Sequence, residues 1–210
     1  MRALEKFFIA LTSVAIFCGM SAAAPPVKDQ SRNMEESIRT MGEHLKRAAR
    51  FAGLVSAQSP GAEASATIAG KPITIKYSSP SVRGRQIFGD GGVVSKDSTY
   101  PVWRAGANAA TILQTGVNLD IAGLNVPAGA YTLYILVKDP ENWKLIVNKQ
   151  TGQNGDSYDA SMDLGRVDMK MEKPQAPVEQ LKYTITASGK TGKLQLQWEN
   201  HIASVTIRAK

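Results

Sequence analysis

Cysteine and histidine are nearly missing from this chain, and their scarcity removes several kinds of chemistry. One cysteine, Cys18, and two histidines, His44 and His201, occur among 210 residues. There is no His-x-His pair and no His-Glu-x-x-His run, so the ligand spacing of a zinc site is absent. No Gly-x-Ser-x-Gly elbow accompanies either histidine, which removes the usual sequence mark of a serine hydrolase. Long apolar runs are also missing. The longest, Phe7 to Phe17, falls short of the roughly 20 residues a membrane-spanning helix needs.

That run has another reading. Arg2 and Lys6 precede it, and Ser21, Ala22, Ala23 and Ala24 follow it. A basic start, a short apolar middle and a small-residue end make a secretory signal peptide. Ser21 and Ala23 suit a cut after Ala23, whereas a cut after Ala24 would leave Pro25 next to the scissile bond. Phe17 stands before Cys18, where a lipid-anchoring signal requires a small residue. The expected product is periplasmic or secreted and has no thiol, hence no disulfide or thiolate chemistry. The whole chain carries a formal charge of +7, and loss of Arg2, Glu5 and Lys6 leaves +6. A basic exported protein favours anionic surroundings such as envelope head groups or acidic glycans. Without a basic-aromatic stripe, nucleic acid is not an expected partner.

The mature part divides by its periodicity. Met34, Ile38, Met41, Leu45, Ala48, Ala52 and Val55 recur at alternating spacings of four and three, which predicts an amphipathic helix over about residues 31–52. Asp29 and Glu35 near its start and Lys46, Arg47 and Arg50 near its end suit the helix dipole. Such a seam either packs on its own domain or pairs with a second copy. Within this helical segment, residues 24–58, the pattern ends in a Ser, Ala, Gly and Pro-rich stretch, and residues 59–66 are expected to be a linker.

From Thr67 to the end the period is two. Ile73, Ile75 and Tyr77 alternate with polar residues, as do Leu194, Leu196 and Trp198, then Val205 and Ile207. Tyr131 to Val137 is apolar on both faces and reads as a central strand. Turn signals separate these runs, and no helical crossover lies between them. The expected fold for residues 67–210 is mainly β, an antiparallel β-sandwich of jelly-roll or Greek-key type with eight to ten short strands.

Several stretches stand out from this background. They are Tyr77-Ser-Ser-Pro80-Ser-Val-Arg83-Gly84-Arg85, Trp103-Arg104-Ala-Gly106-Ala-Asn108, Pro127-Ala-Gly129-Ala-Tyr131 and the late pair Trp198-Glu199. In this order and spacing they resemble a bacterial secreted family known only as a domain of unknown function. Its pattern is Tyr-Ser-x-Pro-x-Val-x-Gly-Arg, then Trp-Arg-x-Gly-Ala-Asn, then Pro-Ala-Gly-x-Tyr, then a Trp-Glu strand. The resemblance covers residues 60 to 208 and implies one exported domain without implying a reaction. The chain departs from the pattern before Trp103, where Gly91 to Tyr100 is longer and polar. The helix is an addition to the family plan.

The candidate ligand-binding residues are Tyr77, Arg83, Arg85, Trp103, Arg104, Asn108 and Asn148. Guanidinium forks match carboxylate and phosphate, aromatic faces stack on sugars, and asparagine amides bond hydroxyls. The same arginines, placed beside Gly and Pro, can instead tie down loop carbonyls, and the tryptophans can be core. Asp156, Asp159 and Asp163 have the hard oxygens calcium takes, but their spacing fits no EF-hand loop. His201 is expected in a solvent-facing turn. No catalytic set, metal site or cofactor is assigned. Three readings stay open: a non-catalytic binder of an anionic or sugar-like ligand, an interaction module using the helix, including a homodimer, and an enzyme of unrecognised type.

Overall fold

A computed structural model describes residues 34–47 and 59–210 of the chain. The expected signal peptide, the cut after Ala23 and the seam residues Ala48, Ala52 and Val55 lie outside the described residues. The chain divides between Gly53 and Leu54. The helix, described over residues 34–47, belongs to the first part, and every strand belongs to the second. Four residues of the helix's seam, Met34, Ile38, Met41 and Leu45, are 62–66 % exposed. No helix among the described residues is long and apolar enough to cross a membrane.

The second part is a β-sandwich of two antiparallel sheets. The first sheet runs β1 (Gly61–Ile68), β2 (Lys71–Ser78), β4 (Thr111–Thr115), β7 (Gly129–Leu136), β8 (Lys144–Asn148) and β9 (Asp163–Asp168), with β3 (Val102–Trp103) also paired to β7. The second runs β11 (Val178–Ser188), β12 (Thr191–Glu199), β13 (His201–Ala209), β5 (Leu119–Ile121) and β6 (Leu124–Val126), with β10 (Lys170–Glu172) also paired to β13. These strands outnumber the eight to ten expected. The alternation of Val117, Leu119 and Ile121 marks β5, and that of Val167, Met169 and Met171 runs from β9 into β10, but β3 and β6 are only two and three residues long and show no period of their own.

The linker expected at residues 59–66 is corrected by the structure: Gly61–Ile68 is β1. Its small residues hide the alternation, yet Ala64 and Ile68 are buried, and the strand pairs with β2 along its whole length, from Gly61↔Ser78 to Ile68↔Lys71. The intervening Ala69-Gly70 turn has φ of 48° and 74°, the left-handed pair that matches the twist of a two-residue hairpin. This register sends Ile73, Ile75 and Tyr77 inward.

Between the sheets, Ile75, Leu113, Leu133, Ile135 and Leu145 meet Tyr183, Leu194, Leu196, Val205 and Ile207 in one buried cluster. Each such side chain contributes roughly 1.5–3 kcal/mol. Strand β7 is buried on both faces, as its unbroken apolar run implies. Tyr134 lies on its outer side with Val102 and Ile146, against which Leu136 and Tyr158 pack.

One crossing between the sheets sets up the rest. After β2 the chain leaves the first sheet and runs beside β11 of the second. The Leu181 amide donates to Pro80 O at 2.9 Å, and the Val82 amide to Glu179 O at 2.8 Å. The Ser79 hydroxyl donates to Leu181 O at 2.5 Å. The loop carrying Arg83 and Arg85 is therefore anchored at the sandwich edge before it turns.

Candidate functional site

Four stretches distant in sequence meet in a cleft of about 370 Å³. They are Pro80 to Arg85 after β2, Val93 to Asp97, Trp103 to Asn108 after β3, and Asn154 to Asp156; Ser59 completes the rim and Trp198 lies at the floor. Arg83, Arg85, Trp103, Arg104 and Asn108 are thus brought together. Tyr77 and Asn148 are not among the cleft residues. Tyr77 is buried against Tyr183, its hydroxyl accepting the Tyr183 amide at 3.2 Å. Asn148 is fully buried, giving its amide to Asp159 O and Asp163 Oδ1, both at 2.9 Å, and accepting the Gln150 amide at 2.9 Å.

The three cleft arginines differ in what they hold. Arg104 is mostly buried and sits between two carboxylates: Asp97 at 3.2 Å and Asp156. It also donates to Asn108 O at 3.3 Å. Gly155 lies so close over it that a Cβ there would collide with the Asn108 carbonyl and the Arg104 side chain. Among the described residues, Arg85 touches no carboxylate. Its Nε donates to Val82 O at 3.1 Å and its Nη2 to Ser81 O at 2.8 Å, which fixes the guanidinium and leaves its charge uncompensated. Arg83 is held by its backbone, whose amide donates to Glu179 Oε1 at 2.9 Å. Among the described residues its guanidinium has no hydrogen-bond or ion-pair partner.

Trp103 is only 2 % exposed. Its indole donates to Gly106 O at 3.1 Å, and its ring stacks on Trp198 at 5.7 Å and 19°. It supports the cleft from below and has little ring face to offer a sugar. Asn108 is exposed at the rim, with its amide 3.5 Å from Ser59 O.

Backbone strain gathers here. Among the described residues, six other than glycine have left-handed φ. Ala69 and Ala122 precede glycines in hairpin turns. Arg83 (52°), Ala105 (55°), Asn108 (57°) and Glu199 (52°) all lie in or beside the cleft loops. Such conformations cost free energy and persist where surrounding contacts over-determine them.

A model of proteins of unknown function, DUF2911, matches residues 59–207. The chain belongs to this family. Comparison with curated proteins and with solved structures finds no match. The DUF2911 match takes in every cleft residue, from Ser59 to Trp198, and leaves the helix at residues 34–47 outside.

Sequence reasoning missed the cleft's acidic half. Asp97 comes from the long polar stretch Gly91 to Tyr100 before Trp103. Asp156 comes from the acid cluster weighed as a calcium loop, whose members separate in the DUF2911 domain. Asp156 pairs with Arg104, Asp159 accepts the Ser161 amide at 2.9 Å, and Asp163 accepts from Asn148, Tyr158 and Arg166. Burial and then Asp163 push the Tyr158 phenol up to about 12, so it stays a donor. His201, expected to face solvent, instead opens β13 half-buried. It stacks on Trp143 at 5.1 Å and 15° and meets Phe88 at 4.8 Å.

Proposed function

We propose that this is an exported DUF2911 domain that binds a small anionic, hydroxyl-bearing ligand without chemically transforming it, in the cleft between the Arg83 and Asn108 loops. The observation that carries the reading is the pair of uncompensated guanidinium groups. Arg85 is immobilised by two carbonyls and, among the described residues, one of its Nη groups and the whole Arg83 guanidinium have no partner. A preorganised cation loses less entropy on binding an anion than a mobile one. On the other wall, Asp97 and Asp156 share one arginine and offer acceptors for hydroxyls, with Asn108 and Asn154 beside them. The leader-like first 23 residues and the basic balance agree with an envelope ligand.

The test is a chemical-shift titration of the isotope-labelled protein with glucuronate, inorganic phosphate and glucose. Glucuronate is expected to move the amides of Arg83 to Phe88 and of Asn108, and the double variant Arg83→Gln/Arg85→Gln to abolish those shifts. Phosphate alone should perturb only the arginine wall, and glucose neither wall. Shifts scattered away from the cleft would overturn the assignment.

A second reading rests on the exposed seam of the helix. Met34, Ile38, Met41 and Leu45 follow the heptad spacing that buries side chains between paired helices. Under this reading the chain self-associates, and Met41→Glu with Leu45→Glu shifts its sedimentation to the monomer. Unchanged sedimentation in that variant would remove it.

A further inference from the structure

Trp198-Glu199 stood out in the sequence, yet Glu199 is not among the residues lining the cleft. It occupies the first position of the two-residue turn between β12 and β13, where Trp198 pairs with His201. Its φ of 52° is a conformation that glycine adopts freely and glutamate does not. The side chain is mostly buried and reaches two places. Oε1 accepts the Ile87 amide at 3.2 Å, and Oε2 stands 3.5 Å from His201 Nδ1.

Both contacts matter to the arginine loop. Ile87 is fully buried two residues after Arg85. Its carbonyl accepts the Val94 amide at 3.0 Å, and Val93 and Val94 line the cleft. Glu199 therefore pins the loop to the second sheet's turn by accepting the Ile87 amide. Phe88, the next residue, packs on Trp103, Trp143, Trp198 and His201. His201 is clamped between Trp143 and Phe88, with Nδ1 buried and without a hydrogen bond. Its outer side opens on a groove of about 520 Å³ whose charged members are Glu141, Glu172 and Lys173.

We propose that Glu199 is a positioning residue for the arginine cleft, acting through the Ile87 amide, and that the charge on His201 controls how firmly it does so. When His201 is neutral, Glu199 Oε1 serves Ile87. Protonation places a charged N–H at Nδ1, facing Oε2, and a bond between two ions is stronger than the carboxylate's bond to the uncharged Ile87 amide. The carboxylate turns toward the ring, the Ile87 amide loses its acceptor, and the loop carrying Arg85 loosens. Burial holds the His201 ring below the ordinary histidine range, with Glu199 opposing this and Lys173 adding to it, so the change comes at a pH below 6.5. Its consequence for binding rests on the cleft reading above; the linkage between the two groups does not.

The experiment follows three resonances of the full chain as it is acidified: the His201 ring, the Ile87 amide and the Arg85 Nε–H. All three are expected to share one midpoint. His201→Gln should make the Ile87 and Arg85 signals independent of that midpoint. Glu199→Gln, which keeps an acceptor for Ile87 but removes the carboxylate charge, should do the same without unfolding the loop. Glucuronate affinity should fall about five-fold on acidification in the parent and stay constant in His201→Gln. An Ile87 amide that ignores the His201 midpoint, or that still follows the same curve in either variant, overturns the proposal. If His201→Gln does not fold, Glu199→Gln decides alone. If glucuronate fails to bind at any pH, the cleft reading falls while the linkage is judged on the resonances.

Discussion

Two polar regions of the sandwich use similar residues in opposite ways. Beside the outer face of β8, Asn148, Asp163, Tyr158 and Arg166 bond to one another. Asp163 accepts from Asn148 through Oδ1 at 2.9 Å, and through Oδ2 from Tyr158 at 2.7 Å and Arg166 Nε at 2.9 Å. In the cleft, Arg104 is closed off in the same manner, but among the described residues the Arg83 guanidinium and one edge of Arg85 have no protein acceptor. A closed polar network specifies a fold, whereas cations left open on a fixed loop are available for recognition. The contrast predicts how unequally substitutions will act.

The largest effect is expected from Asn148→Ala. It removes the partner of the Asp159 carbonyl, one Asp163 oxygen and the Gln150 amide, and empties the place of a side chain that is itself fully buried. The cost should be about 3 kcal/mol, read as a lower midpoint in urea unfolding. A loss below about 0.5 kcal/mol would mean that water replaces those bonds and that the network is not closed. Arg104→Gln comes next, at about 2 kcal/mol, because it leaves Asp97 and Asp156 facing each other without their shared cation. The half-exposed Asp156 keeps this below the cost of a wholly buried pair.

These residues also show what the sequence could and could not convey. Strands β2, β7, β12 and β13 are long enough for their alternation to be read directly, and they form the frame. Strand β1 reads as a linker because alanine and serine carry too little apolar contrast to reveal which side is buried. Arg83, Arg85, Trp103, Arg104 and Asn108 were grouped by their unusual neighbours, and the fold does bring them together. Asn148 carries the same kind of side chain as Asn108 but faces a different environment, and only pairing across strands distinguishes them. Asp97 and Asp156 are invisible from sequence for the same reason: they reach Arg104 across 7 and 52 residues through loops, and such a pairing has no local period.

A smaller effect than either substitution is expected from pH. The His201 ring titrates below its ordinary value of 6.5, mainly because burial disfavours its charged form. The unfolded chain then binds the proton first on acidification. This contribution to stability is fully present above 6.5 and is lost as pH falls through the lowered folded-state value. Thermal midpoints measured across that window should therefore decline more in the parent than in His201→Gln. Equal declines would assign the acid sensitivity to carboxylates elsewhere.

The smallest stability effects, and the sharpest division within the cleft, are expected between Arg85 and Arg83. Arg85→Gln removes the guanidinium bonds to the Ser81 and Val82 carbonyls, but Val82 O keeps the residue 85 backbone amide and the exposed loop lets water serve Ser81 O, so the loss should be about 0.5–1 kcal/mol. Arg83→Gln removes no bond, because the backbone amide, not the guanidinium, holds that residue to Glu179. Its thermal midpoint should match the parent within about 0.5 kcal/mol. Glucuronate binding should nevertheless weaken in both, since a charge-assisted contact exceeds a neutral one by roughly 1 kcal/mol or more. The informative quantity is the ratio of the two losses. A ligand seated between the arginines loses comparable affinity in both variants, although only one loses stability. If Arg83→Gln instead unfolds the loop, its guanidinium bears on the fold, and the division between closed and open cations fails at the residue that defines it.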